Sequence, residues 1–176
     1  SASAAVYIRG IGQSDFIPTV EPGVGLYVDG VYIARSVGAI LDLVDVERVE
    51  VLRGPQGTLF GRNTIGGAIS VTSRKPDEVF AGRVEATFGS SERIDLKGSI
   101  NVPLSDSLFL KASVATFNRD GYVRHTADGR RLGDDDTLTG RLAARWKVND
   151  SLEVNWSVDG TRDRENGPPM VNIALF

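Results

Sequence analysis

The 176 residues include no cysteine and a single histidine, His125. Without thiols the chain can form neither a disulfide scaffold nor a thiolate metal site. The absence of cysteine does not indicate in which cellular compartment the protein lies. One imidazole is too little for a histidine-rich metal centre, and we expect His125 to lie in a solvated loop rather than to take part in catalysis. The formal net charge is only -3, which gives no reason to expect nucleic acid as a partner.

Other signals are missing as well. No apolar run approaches the ~18 residues of a membrane helix, although membrane strands carry a much weaker signal. No signal peptide is visible, and the chain opens at Ser1 directly on strand-like sequence, so we expect it to be part of something longer. We find no nucleophile constellation, no paired carboxylates and no cofactor fingerprint. We therefore expect no catalytic residue, no cofactor, no metal ligand and no enzymatic activity.

Residues 45–73 read as two strands around a glycine-rich corner. Val49 and Val51 fall on one face of an extended chain and Glu50 and Leu52 on the other. Ile69 and Val71 repeat this period of two, which is the signal of a strand. Gly54-Pro55 predicts a turn between them. A phosphate-binding loop is a weaker alternative, because no lysine follows the glycines and no long helical pattern comes after them. Leu59 and Phe60 are expected to anchor the corner.

Three ordered motifs in this stretch resemble the plug domain of TonB-dependent outer-membrane receptors: V-E-V-L-R-G-P at 49–55, L-F-G at 59–61 and G-G-A-I-S-V-T at 66–72. The resemblance implies that residues 1–76 are the C-terminal part of a plug, which is a small mixed α/β domain held inside a barrel. Within it, Asp29-Gly30 predicts a hairpin, and residues 36–43 predict a short helix or an irregular turn.

Residues 77–176 show apolar residues recurring with a period of two along five successive segments, which predicts five strands. Ten residues span about 33 Å, or about 23 Å at a tilt of ~45°, close to the ~25 Å apolar band of an outer-membrane barrel. We therefore expect antiparallel transmembrane β-strands, the first five or so of an incomplete outer-membrane β-barrel. Short turns at 103–107 and 149–151 are expected to be periplasmic, and the connections at 89–92, 118–136 and from 163 onward extracellular.

The resemblance also implies roles for particular residues. Arg9 and Arg53 match two arginine-glycine positions of the family, where arginines pair with carboxylates on the inner barrel wall, and such partners would lie beyond this chain. Local pairing of Arg53 with Glu50 or Glu47 remains the alternative. Candidates for the ligand-facing apex, each of which also suits an ordinary solvated turn, are Asp15, Phe16, Arg35, Ser36, Arg62 and Asn63. Residues 134–136 suit a solvated loop better than a cation site.

The family imports a scarce, bulky ligand, often an iron-siderophore complex, by plug movement driven through TonB. The resemblance thus implies a receptor of the bacterial cell outer membrane, in contact with its lipid. Nothing here matches the TonB-contacting box that precedes the plug. The alternative is a soluble all-β binding or adhesion module. These differ in whether Leu96, Leu110, Leu142 and Val154 face lipid or a sandwich core.

Overall fold

The computed structural model describes residues 6–12, 22–33, 45–126 and 128–166. They fall into a first unit, up to Arg74, and a second unit, from Lys75 onward. The fold is mainly β. The elements of the first unit are β1 (Tyr7–Ile8), β2 (Ile11–Gly12), β3 (Val24–Val28), β4 (Val31–Tyr32), β5 (Val46–Arg53), α1 (Gly57–Phe60) and β6 (Gly67–Ser73).

The first unit contains a four-stranded sheet in the order β4-β3-β6-β5. Strands β3 and β6 pair in parallel, whereas β5 pairs antiparallel with β6. The core side chains of this unit come mainly from β3 and β6, and all but Tyr27 are small or medium-sized. They are Ile8, Val24, Leu26, Tyr27, Ala68 and Val71. The two strands predicted around the glycine-rich corner are confirmed as β5 and β6.

Two tight turns close hairpins in the first unit. The predicted hairpin at Asp29-Gly30 is confirmed, and it joins β3 to β4. Both turn residues have positive φ, 49° and 81°, as the hairpin turn that matches strand twist requires. Arg9-Gly10 forms a second turn of this kind, with φ of 53° and 79°. This turn joins β1 to β2, since Ile11–Gly12 pair with Tyr7–Ile8.

Helix is scarce in the part of the first unit that the structure describes, where α1 is one turn of four residues. The helix or turn predicted over 36–43 lies outside the described residues. Of the two residues expected to anchor the corner, Phe60 is half-buried but Leu59 is 84% exposed. The expectation for Leu59 was wrong, because its side chain projects away from the packed face of this turn.

The second unit is built on a five-stranded antiparallel sheet in the order β13-β12-β9-β8-β7. The five predicted strands are confirmed, with one extension: the polar connection 118–136 is shorter than expected and contains a small hairpin of β10 and β11. The strands are β7 (Ala81–Gly89), β8 (Arg93–Pro103), β9 (Leu108–Arg119), β10 (Val123–Arg124), β11 (Arg131–Leu132), β12 (Asp135–Asn149) and β13 (Leu152–Asp163).

One face of the five-stranded sheet carries large apolar side chains that are exposed. On the face that we call the apolar face, Leu96, Leu110, Leu142 and Val154 are 47%, 37%, 54% and 44% exposed. The opposite face, called the polar face, includes buried polar side chains: Asp95, Asn101, Lys111, Ser113, Thr137 and Thr139. A sandwich would cover the apolar face with a second layer. No described residue does so, and this arrangement suits an apolar surround.

None of the helices in the described ranges has the length and apolar character needed to cross a membrane.

Candidate functional site

The corner between β5 and β6 is closed by its own backbone. Gly54 N–H donates to Gly66 O, and Gln56 N–H to Thr64 O, both at 3.0 Å. The Thr64 hydroxyl donates to Gly61 O at 2.8 Å, and Thr64 is buried. These bonds hold residues 57–63 as a short projection from the end of the sheet. Arg62 and Asn63, two of the predicted apex residues, lie on this projection.

An aromatic cluster ties the projection to β3 and β4. The Tyr27 hydroxyl donates to the Phe60 carbonyl, and the Tyr27 ring meets the Phe60 ring edge-on at a centroid distance of 4.8 Å. Asn63 Nδ2 donates to the Tyr32 hydroxyl at 2.8 Å. Burial, and to a lesser degree Tyr32, raises the pKa of Tyr27. The phenol therefore stays protonated and keeps its role as a donor.

Gly67 is required where the corner rejoins the sheet. Its φ is +150°, and a Cβ at this position would lie 2.2 Å from the Leu52 carbonyl oxygen and 2.8 Å from Ile8 Cδ1. The first of these is a clash with backbone, which cannot turn aside. The glycine thus allows β6 to approach both β5 and β1 at the base of the projection.

The two arginine-glycine pairs meet in the first unit. A Cβ at Gly54 would lie 3.9 Å from Arg9 Nη1, so the Arg9 guanidinium lies against the residue that follows Arg53. Both arginines are exposed, and neither forms an ion pair with a described residue. Glu50 instead pairs with Arg48, Nε to Oε1 at 3.3 Å. In the structure Arg53 therefore does not form the local ion pair with Glu50.

The other residues predicted for the ligand-facing apex differ in whether the structure describes them and in how exposed they are. Asp15, Phe16, Arg35 and Ser36 lie outside the described residues. Arg62 is exposed, and Asn63 is half-buried with φ of 65°.

His125 lies on the exposed turn between β10 and β11, with its Nδ1 2.6 Å from Asp128 Oδ1. Asp134 accepts bonds from the N–H and Nδ2 of Asn166 at 3.0 and 3.1 Å. Among the described residues, no group of three or more possible ligands could hold a metal ion.

Charged side chains on the polar face form ion pairs, two of them between β12 and β13 and one within β8. Arg141 Nη1 lies 2.9 Å from Asp159 Oδ1, and Arg145 Nη2 lies 2.7 Å from Glu153 Oε2. Arg93 donates twice to Asp95 Oδ2, at 2.8 and 2.6 Å. These pairs make the polar face a hydrogen-bonding wall that suits water or a polar ligand.

Some buried atoms on this wall lack a partner among the described residues. They are Asp95 Oδ1 and the Nε atoms of Arg119, Arg141 and Arg145, although Arg141 also has other interactions. A buried polar atom without a partner costs about 1–3 kcal/mol. The wall is therefore suited to bind further donors and acceptors by hydrogen bonds and charge.

Sequence reasoning missed several of these residues. Tyr27 and Tyr32 read only as strand residues, and nothing local links Tyr27 to Phe60, 33 positions later. The alternation did assign Asp95 to the polar face. That Asp95 is nearly buried, with 5% of its side chain exposed, depends on its surroundings in the folded sheet.

The first unit is small and mainly β, and the long strands that follow it in sequence expose an apolar face. These features define a protein whose strands cross the outer membrane. A family model described as the TonB-dependent Receptor Plug Domain matches residues 1–68. The chain is 33% identical over 166 residues to the pesticin receptor of Yersinia pestis, a match that covers 92% of this chain and 24% of the receptor. It is 30% identical over 136 residues to an iron-regulated outer membrane virulence protein of Vibrio cholerae, covering 73% and 20%.

Solved structures of outer-membrane receptors have a fold similar to that of this chain. The ferric yersiniabactin uptake receptor FyuA from Yersinia pestis matches with a TM-score of 0.80 and 31% identity, over 89% of this chain and 25% of that one. The pyoverdine receptor FpvA from Pseudomonas aeruginosa matches with a TM-score of 0.68 at 22% identity, over 88% and 21%, and shows a common fold. The chain belongs to the TonB-dependent outer-membrane receptors, and its place is the bacterial outer membrane. It spans about a quarter of the length of the first curated relatives that it matches.

Proposed function

We propose that the chain is part of a receptor that imports a scarce metal complex, with an iron-siderophore complex as cargo, using energy delivered through TonB. Residues 1–76 would be the C-terminal part of its plug, and residues 77–176 the first five or so strands of its barrel. The observation that carries the proposal is the exposed apolar face of a sheet that follows directly on a plug motif. Relatives named as the ferric yersiniabactin uptake receptor and an iron-regulated outer membrane virulence protein support the class of cargo.

The chemistry of the described residues suits reversible binding, and we propose transport rather than catalysis. Charges on the polar face are engaged in ion pairs, within one strand or between neighbouring strands, and such pairs suit a polar wall better than a proton-transferring site. Arg9 and Arg53 are the guanidinium groups of the first unit that would hold the plug against carboxylates of the barrel wall. Exposed pairs of this kind are worth about 0–1 kcal/mol each. They can therefore be broken when the plug is pulled.

Iron uptake tests the proposal directly. The complete receptor is returned to a strain that lacks it, and uptake of radioactive iron is measured with ferric yersiniabactin and a panel of other ferric siderophores. We expect uptake of at least one complex to depend on the receptor and to stop when TonB is deleted. Receptor-dependent uptake that persists without TonB, or no uptake of any ferric complex, would contradict the proposal.

A further inference from the structure

The chain enters the second unit through residues 75–80, which we call the strap. Arg74, the last residue of the first unit, donates its N–H to Asp45 O at 3.0 Å. After the strap, β7 begins at Ala81. None of the strap residues, all of which the structure describes, belongs to a helix or a strand. The backbone groups of the strap therefore need partners other than a ladder of strand bonds.

One buried side chain of β8 supplies such partners. Asn101 Oδ1 accepts from Asp77 N–H at 3.3 Å, and Asn101 Nδ2 donates to Asp77 O, Asp77 Oδ1 and Val79 O at 3.0, 2.9 and 2.7 Å. We call these bonds the clasp. The Asp77 carboxylate also accepts from Val79 N–H at 3.0 Å, so the strap turns around the Asn101 amide. Asn101 is 4% exposed, and water has little access to the bonds of the clasp.

The other printed contact of the strap with a strand is weaker. Glu78 Oε2 lies 3.9 Å from Lys147 Nζ of β12, and both side chains are exposed. Exposed ion pairs of this kind contribute little. The attachment of the strap to the sheet thus depends mainly on Asn101. Asn101 lies two residues before the end of β8 at Pro103, near the short turn that we expect on the periplasmic rim.

The clasp lies where a pull on the first unit would reach the sheet. Such a pull passes through Arg74 into the strap, and it would load the bonds of Asn101 together. Beyond the clasp, the next connection is the pair of Ala81 with Asn101 at the end of the β7–β8 ladder. A ladder that is loaded from its end opens one pair at a time. The clasp therefore protects β7 from being peeled off β8.

We propose that Asn101 is a positioning residue of transport, which holds Asp77 and Val79 and so sets the point at which displacement of the plug stops. The inference rests on the proposed function, because it requires a plug that is pulled from the periplasmic side. In this arrangement the chain ahead of Asp77 is free to be drawn out. The strands from β7 onward stay in the wall.

Force spectroscopy of the complete receptor in a lipid bilayer tests the clasp. A handle ahead of the plug is pulled from the periplasmic side, and force is recorded against extension. We expect the parent to show a force peak when the chain ahead of Asp77 has been drawn out. Asn101→Leu keeps the volume but loses the hydrogen bonds, so this peak should be absent. Resistance should then begin at Ala81, about 13–14 Å later, the length of residues 77–80 at ~3.3–3.6 Å each.

Two further variants control the measurement. Asn155→Leu is the matched control, since Asn155 is an asparagine of β13 whose amide donates to Glu153 Oε1 at 2.8 Å, and it should keep the peak of the parent. Asp77→Ala leaves the strand residues intact and removes one acceptor of the clasp. It should lower the peak without moving it, and it decides the outcome if Asn101→Leu does not give a heat-modifiable barrel.

A second readout separates this role from a merely structural one. In iron-limited cells we expect Asn101→Leu to be lost from outer membranes faster than the parent when TonB is present, and at the same rate as the parent when TonB is deleted. A structural defect would speed the loss in both strains.

The same peak in Asn101→Leu as in the parent, or an unchanged peak in Asp77→Ala, would overturn the proposal. So would equal loss of Asn101→Leu with and without TonB, in a receptor whose iron uptake depends on TonB. Iron uptake by the parent is measured separately. A peak at the clasp in a receptor that imports no ferric complex would contradict the proposed function alone.

Discussion

Asp29 and Ser73, 44 residues apart in sequence, are joined by two hydrogen bonds. The Ser73 N–H donates to Asp29 Oδ1 and the Ser73 hydroxyl to Oδ2, each at 2.8 Å. Asp29 N–H in turn donates to Val71 O at 2.9 Å. The turn between β3 and β4 is thereby fixed to the end of β6, so that one carboxylate closes the end of the sheet opposite the corner.

Replacing Asp29 by alanine should loosen this end of the first unit. The buried Ser73 N–H and hydroxyl lose their acceptor, at a cost of about 2–3 kcal/mol in the free energy of local opening. Hydrogen exchange by mass spectrometry in the complete receptor should show faster exchange in β3 and β6. Asp150→Ala, at an exposed turn of the second unit, is the control. Equal exchange in the two variants would show that the two bonds contribute nothing.

Gly67→Ala should prevent the first unit from packing. The added methyl would overlap the Leu52 carbonyl oxygen, and relieving that clash at a strained φ costs about 3 kcal/mol or more. We expect the first unit to become sensitive to protease while the barrel remains heat-modifiable in a gel. Gly160→Ala, where a Cβ meets nothing within 4 Å, should leave the first unit as resistant as in the parent.

A lysine on the apolar face distinguishes a lipid-facing sheet from a soluble one. Leu142→Lys should cost about 2–4 kcal/mol near the middle of a bilayer and should lower the yield of folded receptor in outer membranes. Ser157→Lys, on the polar face of β13, is the matched control and should assemble normally. In a soluble module the Leu142 variant would fold as well as the control or better, and this outcome would remove the membrane interpretation of the strands.

Arg53 and Arg48 provide a matched comparison for plug release. Both are exposed arginines of β5, but Arg48 is already paired with Glu50. If Arg53 holds the plug against the barrel wall, Arg53→Gln should raise the rate of TonB-dependent iron uptake by up to about fivefold, because the exposed pair that it removes is worth about 0–1 kcal/mol. Arg48→Gln should leave the rate as it was. The same rate in both variants would argue that Arg53 only solvates the surface.

The β10–β11 hairpin should resist acid because of Asp128. Its hydrogen bond with His125, and then those from the Arg130 N–H and side chain, hold the pKa of Asp128 well below its usual range. Since the folded pKa is lowered, the stabilisation is complete above the ordinary aspartate pKa of about 3.9 and is lost only as pH falls through the lowered value. Pepsin should therefore cleave residues 120–134 slowly at about pH 3. In Asp128→Asn, cleavage should be fast throughout the range where pepsin acts.

The sequence predicts the faces of the long strands well, because alternation is a local property. Leu96 and Val114 could be assigned to one side and Asp95 to the other without knowing any partner strand. The Asp29-Gly30 turn was equally accessible, since glycine adopts positive φ at no steric cost and aspartate tolerates it. The Arg9-Gly10 turn was not, because arginine at positive φ is uncommon and depends on the hairpin that contains it.

What the sequence could not predict depends on distant parts of the chain. The bond of Tyr27 to Phe60 and that of Asp29 to Ser73 bring together residues that no local pattern relates. The β10–β11 hairpin escaped notice because each strand has two residues, too few to show a period. The burial of Asp95 likewise follows from packing, whereas alternation marks only the side of the sheet on which a residue lies.

The salt bridges between β12 and β13 also act as a check on alignment. A slip of one residue in the pairing of the strands would move every side chain to the other face, so the alternation opposes it. A slip of two residues leaves the apolar and polar side chains on their proper faces. Arg141 is directly opposite Asp159. A slip of two would bring it opposite Ser157 or Thr161 and would leave a guanidinium without its carboxylate. The ion pairs thus disfavour shifts in strand register that the apolar pattern alone would allow. This matters in strands whose exposed face is apolar along its whole length.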